Sequence, residues 1–368
     1  MRLLVVGVNT RPVVNSAKRL GFEVYSVSYY NPVDLNADKK IYFIDDYNHG
    51  HFRENYSEDE LLKAAEKFVD EVDGILITSG IFEDKNSKTP NWDVIGNPPK
   101  KIKRMSNKYN TIKRLENLGY NVPLTYLAKN YSQLERYLDE LKIAILKPIS
   151  GSGGIGVTKI SFSTIENMGA KEALEELNIN IEFPILVQEY INSESFSASF
   201  IDTNFITFNR QIIENNMYVG NITPYSLNGR IFNVSKAIND FREIIETFEL
   251  KGMNGIDFMI KDNEVCIIEI NPRILGTFET IEKSAGVNLV KHIIEGKSAN
   301  VRERFIKRIV FAKEKIIAKI KKKPFVYDIP KYNAVIEKNE PIATVIAKTN
   351  INHCIDSIYK ECVEYEAK

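Results

Sequence analysis

Short apolar runs alternate with segments of helical apolar spacing along the first part of the chain. Residues 3–6 form a strand-like run closed by Gly7. Residues 12–20 have helical spacing and stop at Gly21, and 22–27 form a second strand-like run. A helix is expected over 58–72 and a third strand over 74–78, ending at Ser79-Gly80. Such alternation predicts a parallel sheet with crossover helices, so residues 1–100 read as an open α/β domain. Ligands in such sheets sit beyond the carboxyl ends of the strands, which marks the loops 8–12 and 79–83.

Asn97-Pro98-Pro99 and the basic run 100–104 mark a boundary, the basic cluster reading as a solvated face. A helix is expected from about Asn107 to Leu118, with Asn107 as its cap and Gly119 as its stop. Short strands and loops are expected from there to Lys147. Strands follow at 186–191 and 196–201, and a helix at 240–250. Two apolar strands at 256–260 and 265–270 are joined by the turn-rich Lys261-Asp262-Asn263-Glu264. Helices are expected at 279–285 and 289–294. Residues 307–323 are basic with interleaved apolar positions. A packed strand with solvated lysines is favoured there over a membrane-surface helix, because Arg308-Ile309-Val310-Phe311-Ala312 is strand-like. Short strands at 334–336 and 342–347 complete the pattern.

Composition removes several classes of function. Lys+Arg and Asp+Glu are both 49, giving zero formal charge, which argues against nucleic acid as a partner. No apolar run nears the roughly 18–20 residues that cross a bilayer, so no membrane association is expected. The first apolar run is too short for a secretory signal. Cys266, Cys354 and Cys362 show neither zinc spacing nor a disulfide framework, and a cytoplasmic location is expected. Four histidines leave little room for a histidine-based metal enzyme.

The chemistry concentrates in two places. In the run Cys266-Ile267-Ile268-Glu269-Ile270-Asn271-Pro272-Arg273, Glu269 and Asn271 share one strand face. Asp257 lies on the hairpin partner. Two carboxylates and an amide oxygen are hard donors suited to Mg²⁺ beside phosphates, and the Arg273 fork suits developing negative charge. The second place is Lys147 at a strand end, followed by Ser150, Gly151, Ser152, Gly153, Gly154, Ile155 and Gly156. Backbone N–H groups of such a loop can wrap phosphates, although no Gly-Lys-Ser/Thr ends it as in a Walker A loop. Two weaker features flank these. Gln188, Glu189, Tyr190 and Ile191 form a strand or short linker whose backbone can meet an adenine edge. Lys108 sits at a helix start, where phosphate is favoured.

Taken in order, these features resemble the ATP-grasp superfamily, and within it the archaeal predicted ATP-dependent carboligases related to biotin carboxylase. The implied fold is α/β, with α+β in the ATP module. It comprises a Rossmann-like pre-ATP-grasp domain (1–100), an ATP-grasp domain (101–300, with a mobile lid over 125–190) and a small β-rich C-terminal subdomain (301–368). The resemblance implies that Lys108 and Lys147 contact ATP phosphates, that the glycine-rich loop closes over them, and that Glu189 to Ile191 hold adenine. It assigns Mg²⁺ (or Mn²⁺) to Asp257, Glu269 and Asn271, and the transferred phosphoryl or acyl phosphate to Arg273. Two departures stand out. The inner metal position, often Glu, is Asp257. The ribose-binding Glu of many members falls at Ser195, with Glu194 one residue short.

The implied activity is a ligase that turns a carboxylate into an acyl phosphate for attack by an amine or other nucleophile. Bicarbonate activation for carboxylation is the alternative, and a non-catalytic ATP-binding regulator is an alternative of another class. Partners are small-molecule carboxylate and nucleophile substrates, and the resemblance allows a homodimer. Arg11, Ser79, Glu83, Asn221 and Thr277 fall near the expected substrate loops and read as structural. An NAD enzyme is disfavoured because Val6-Gly7-Val8-Asn9 lacks the later glycines of the dinucleotide fingerprint.

Overall fold

A computed structural model describes residues 1–84, 86–151, 153–231 and 233–366. Strands β1 (Arg2–Gly7), β2 (Glu23–Ser28), β3 (Lys39–Tyr42) and β4 (Gly74–Ile77) form an all-parallel sheet in the order β3-β2-β1-β4. The apolar run of β1 is buried on both faces, as a parallel sheet requires. Leu3 and Val5 pack with Val13, Val14 and Ala17 of the helix Arg11–Lys18. Leu4 and Val6 pack with Leu61, Leu62 and Ala65 of the helix Glu58–Val69. The strand order reverses at β1/β4, the place where such sheets take ligands.

An antiparallel sheet follows, built from β5 (Thr125–Ala128), β6 (Ile143–Pro148), β7 (Thr158–Ser161) and β8 (Ile185–Glu189) in the order β5-β8-β6-β7. The helix Tyr131–Leu141 lies within this segment, where only strands and loops are expected. The Asn130 side chain caps it by accepting from Gln133 N at 2.9 Å. Leu134 and Leu138, one turn apart, face the sheet core with Leu146 and Val187.

The remaining strands are β9 (Ser195–Ile201), β10 (Asn204–Glu214), β11 (Met217–Thr223), β12 (Met253–Lys261), β13 (Glu264–Asn271), β14 (Phe305–Phe311), β15 (Ile316–Ala318), β16 (Val326–Tyr327), β17 (Ala334–Ile336), β18 (Pro341–Ala347) and β19 (Cys362–Glu364). Eight of them form one sheet, β13-β12-β9-β10-β11-β14-β18-β16, and β17-β15-β19 form a small one. The sequence pattern does not announce the β10–β11 hairpin. Its turn residues Asn215 and Asn216 have φ of 49° and 62°, the left-handed pair that a two-residue hairpin needs. Within 307–323 the stretches 307–311 and 316–318 do form strands, but Lys307 departs from the expectation of solvated lysines, being 8% exposed. The helix expected at 240–250 begins earlier, as Val234–Thr247, because the Asn233 side chain caps it by accepting from Lys236 N at 2.8 Å.

The N-terminal sheet docks through the helix Arg11–Lys18, whose apolar face meets Phe278, Ile281, Leu289 and Val290 in one core. That docking turns the carboxyl ends of β1 and β4 towards the large sheet. Among the described residues no helix is long and apolar enough to cross a membrane.

Candidate active site

Residues from the two larger antiparallel sheets and from the segments that follow β1 and β4 line one cleft of about 720 Å³. Antiparallel register sets Asp257 opposite Glu269, and Gly255 opposite Asn271. Asn271 Nδ2 donates to Asp257 Oδ2 at 3.0 Å. Burial, reinforced by the Glu269 charge, raises the Asp257 carboxyl to about 7, against hydrogen bonds from Gln211 and Asn271 and the charge of Arg273. A carboxyl pushed up in this way is relieved by a cation. The donor set is therefore two carboxylates and one amide. Among the described residues no group of three or more His, Cys, Asp or Glu gathers for a metal. Hard oxygen donors in this number fit Mg²⁺, which keeps several waters and binds through one or two carboxylates beside phosphates.

Lys108 opens the helix Lys108–Asn117, whose cap is Asn107, accepting from Asn110 N at 3.0 Å. Its ammonium donates to Glu269 Oε1 at 2.7 Å and to the Gly151 carbonyl. It thus ties the acidic strand pair to the glycine-rich loop. Lys147 stands near the end of β6 and is 5% exposed. Burial pushes its ammonium down to about 8; Glu269 opposes that shift and Lys108 adds to it. Two buried cations beside one carboxylate leave room for a further anion.

Ser150, Gly151, Gly153, Gly154 and Ile155 line the cleft. Ser152 lies outside the described residues. Gly156 is not part of the lining; a Cβ there would stand 2.9 Å from Pro148 Cγ. Gly154 sits on the β10–β11 turn with φ of +82°, and a Cβ would come within 2.1 Å of the Asn216 carbonyl oxygen. Only glycine fits both the angle and the contact. Gly154→Ala is expected to strain this arrangement by about 1–3 kcal/mol. The melting temperature of the variant checks this, and an unchanged value would count against the contact.

Gln188, Glu189, Tyr190 and Ile191 also line the cleft. Gln188 Nε2 donates to Thr125 Oγ1 at 2.8 Å. The Glu189 and Tyr190 amides donate to the carbonyls of Leu124 and Ile143, at 2.8 and 3.4 Å, which holds the segment in place. The Glu189 carboxylate pairs with Lys261, and Lys159 Nζ lies 3.6 Å from the Tyr190 ring centroid. Glu194 lines the same cleft, but its carboxylate is engaged by Arg210 at 2.7 Å and by Arg230. Arg273 pairs with Glu83 of the N-terminal loop, and its Nη2 donates to Asn271 Oδ1 at 3.4 Å. It fastens the acidic strand end to the loop that follows β4. The structure thus brings the nominated residues together, apart from Gly156 and Ser152. Arg210, Gln211, Tyr218 and Lys307 join the lining without having been nominated. The first three lie on β10 and β11, whose interleaved polar residues hide the strands from a reading of apolar alternation.

Residues 105–277 match the ATP-grasp domain model. The sequence is 56% identical to an uncharacterized protein of Methanocaldococcus jannaschii, over 100% of this chain and 94% of that protein. The structure is similar to the biotin carboxylase domain of Hydrogenobacter thermophilus 2-oxoglutarate carboxylase, solved as a dimer with MgADP, ADP and bicarbonate. That match has a TM-score of 0.68 and 16% identity, and covers 100% of this chain and 91% of that one. It is also similar to phosphoribosylamine–glycine ligase of Thermotoga maritima, with a TM-score of 0.68, 15% identity, and 99% and 97% of the two chains covered. At such identities the likeness to both solved structures speaks for the fold, a mixed α/β ATP-grasp fold. The matched span opens just before Lys108 and closes just after Arg273, taking in every nominated residue, so the chain carries an ATP-grasp domain.

Proposed function

We propose that this protein is an ATP- and Mg²⁺-dependent ligase that activates a carboxylate as an acyl phosphate and transfers the acyl group to an amine. One observation carries the reading: Lys108, Lys147, Asp257 and Glu269 line a single cleft, with Lys108 bonded to Glu269 at 2.7 Å. Phosphoryl transfer needs mainly positioning and charge stabilisation, and this arrangement offers both. No cysteine or histidine nucleophile takes part.

A divalent cation, Mg²⁺ or Mn²⁺, held by Asp257, Glu269 and Asn271 would neutralise charge on the phosphoryl oxygens. Lys147 binds the phosphate chain, gaining the anionic partner that its burial leaves wanting. Lys108, already joined to Gly151, holds the loop over the phosphates. Backbone groups around Glu189 to Ile191 meet the base. A substrate carboxylate oxygen bonds to the γ-phosphorus, and the bond from that phosphorus to the β–γ bridging oxygen breaks, releasing ADP. Arg273, fixed by Glu83, steadies the acyl phosphate. The amine nitrogen then bonds to the acyl carbon, the carbon–oxygen bond to phosphate breaks, and the amine loses a proton.

Thermal-shift titration is expected to show stabilisation by Mg-ATP and none by NAD; the reverse result would sink the reading. A screen of carboxylate and amine pairs for ADP release, with product masses, then tests the reaction. A bicarbonate arm is included. ADP release that requires bicarbonate and no other carboxylate would replace C–N ligation with carboxylation.

A further inference from the structure

The cleft continues past Arg273. Its wall runs on to Asn9, Thr78 and Ser79, at the carboxyl ends of β1 and β4, and to Gly276, Glu279 and Lys307 opposite. This stretch holds none of the residues assigned above to nucleotide or metal. The ends of β1 and β4 are the switch point of the parallel sheet, where open α/β sheets take ligands. An element built to meet a ligand therefore opens on the same cavity.

Lys307 is the unusual member of this wall. It sits on β14 opposite Asn221, beneath the helix Phe278–Ala285, which packs on β11 and β14. Its ammonium donates to the Gly276 carbonyl at 3.1 Å. The nearby carboxylates are already engaged. Arg11 takes Glu279 with both Nη atoms, at 2.9 and 2.7 Å, and takes Asp328 through Nε at 2.7 Å. Asp34 is 3.4 Å from the same guanidinium. Lys307 offers three donors, and its one hydrogen bond among the described residues is to a neutral carbonyl. A buried ammonium without a carboxylate in contact is costly. Consistently, burial lowers its pKa, with Glu279 and Asp328 opposing and Arg11 adding. An oxyanion in the cavity would supply the missing charge-assisted bonds.

We infer that Lys307, with the carboxyl ends of β1 and β4, forms an oxyanion subsite for a carboxylate or phosphate group that the substrate carries besides its reacting group. Calling the occupant substrate rests on the ligase reading; the anion site itself does not. The test uses malonate and inorganic phosphate as probes on the full chain, with and without saturating Mg-ADP, at ionic strength matched with chloride. At least one probe is expected to stabilise the wild type saturably, and the stronger of the two tells carboxylate from phosphate. Lys307→Met, which removes a buried charge at similar volume, is expected to fold and to bind that probe at least tenfold more weakly. Equal affinity in the two proteins, or no saturable shift with either probe, would overturn the subsite. Should the variant fail to fold, the wild type soaked with the tighter anion decides. An anion within about 3.2 Å of Lys307 Nζ supports the inference, and one bound elsewhere overturns it. Absence of any Mg-ADP stabilisation counts against the ligase reading alone, because a Lys307-dependent anion shift stands without it.

Discussion

Glu269→Gln is expected to lower ADP release at least about a hundredfold while leaving the protein folded. Glutamine keeps the shape and the ability to accept from Lys108, now 2.7 Å from Glu269 Oε1, but removes the charge that faces a metal. Stabilisation of transition-state charge through a metal is worth several kcal/mol, and about 1.4 kcal/mol is tenfold in rate. Folding should survive for two reasons. The residue stands near the end of β13 on the cleft, outside the buried pair Cys266–Ile267. Glutamine also still accepts from the Lys108 ammonium, which keeps its bond to the Gly151 carbonyl, so the buried cation is not left without partners. ADP affinity without metal should change little, since Lys147 and the segment Glu189 to Ile191 proposed to meet the base are untouched. ADP release, metal-free ADP affinity and melting temperature on one preparation check all three. Near-normal turnover would remove Glu269 from the reaction.

The second large effect is expected at Lys147. Lys147→Met should weaken nucleotide binding by roughly ten- to a hundredfold, because a buried ammonium that meets phosphate is a strong charge-assisted partner. The same change should raise the stability of the ligand-free protein. The folded-state pKa of this group is about 8, below its ordinary 10.5. Below pH 8 the group is charged in both states, and burial destabilises the fold in full. Between about 8 and 10.5 the unfolded chain keeps a proton that the folded chain has lost, so stability rises with pH in this window. Nucleotide affinity of the wild type falls through the same window, since a neutral amine offers no charge to phosphate. Lys147→Met should flatten both slopes. Melting temperature and ADP affinity at pH 7, 8 and 9 test this, and parallel profiles in the two proteins would refute it.

Short-range chemistry is what the sequence conveys well. The Asp262-Asn263 turn, with φ of 52° and 61°, is visible because uninterrupted apolar runs flank it. The same geometry at Asn215-Asn216 is hidden, because β10 and β11 bury polar side chains. Asn209 Nδ2 donates to Ser199 Oγ at 2.9 Å, Thr223 Oγ1 to Asn209 Oδ1 at 2.6 Å, and Asn221 Nδ2 to Thr280 Oγ1 at 2.8 Å. Polar residues that satisfy one another in the interior mimic a loop in any reading that equates polar with solvated.

The sequence by itself determined the parallel first sheet, through a strand buried on both faces, and the pairing of Glu269 with Asn271 on one face, through the two-residue period of a strand. It also determined the order of lysine, glycine-rich loop and acidic strand pair. Only the tertiary structure decided which charges meet. Arg11 reaches Glu279 and Asp328 across 268 and 317 residues of chain. Arg273 reaches Glu83 across 190 residues, and Lys307 is buried by a helix packed over it. Turns and alternation arise from neighbouring residues and leave a local trace. The partner of a buried charge is set by which surfaces the whole chain brings together, and no local spacing records it.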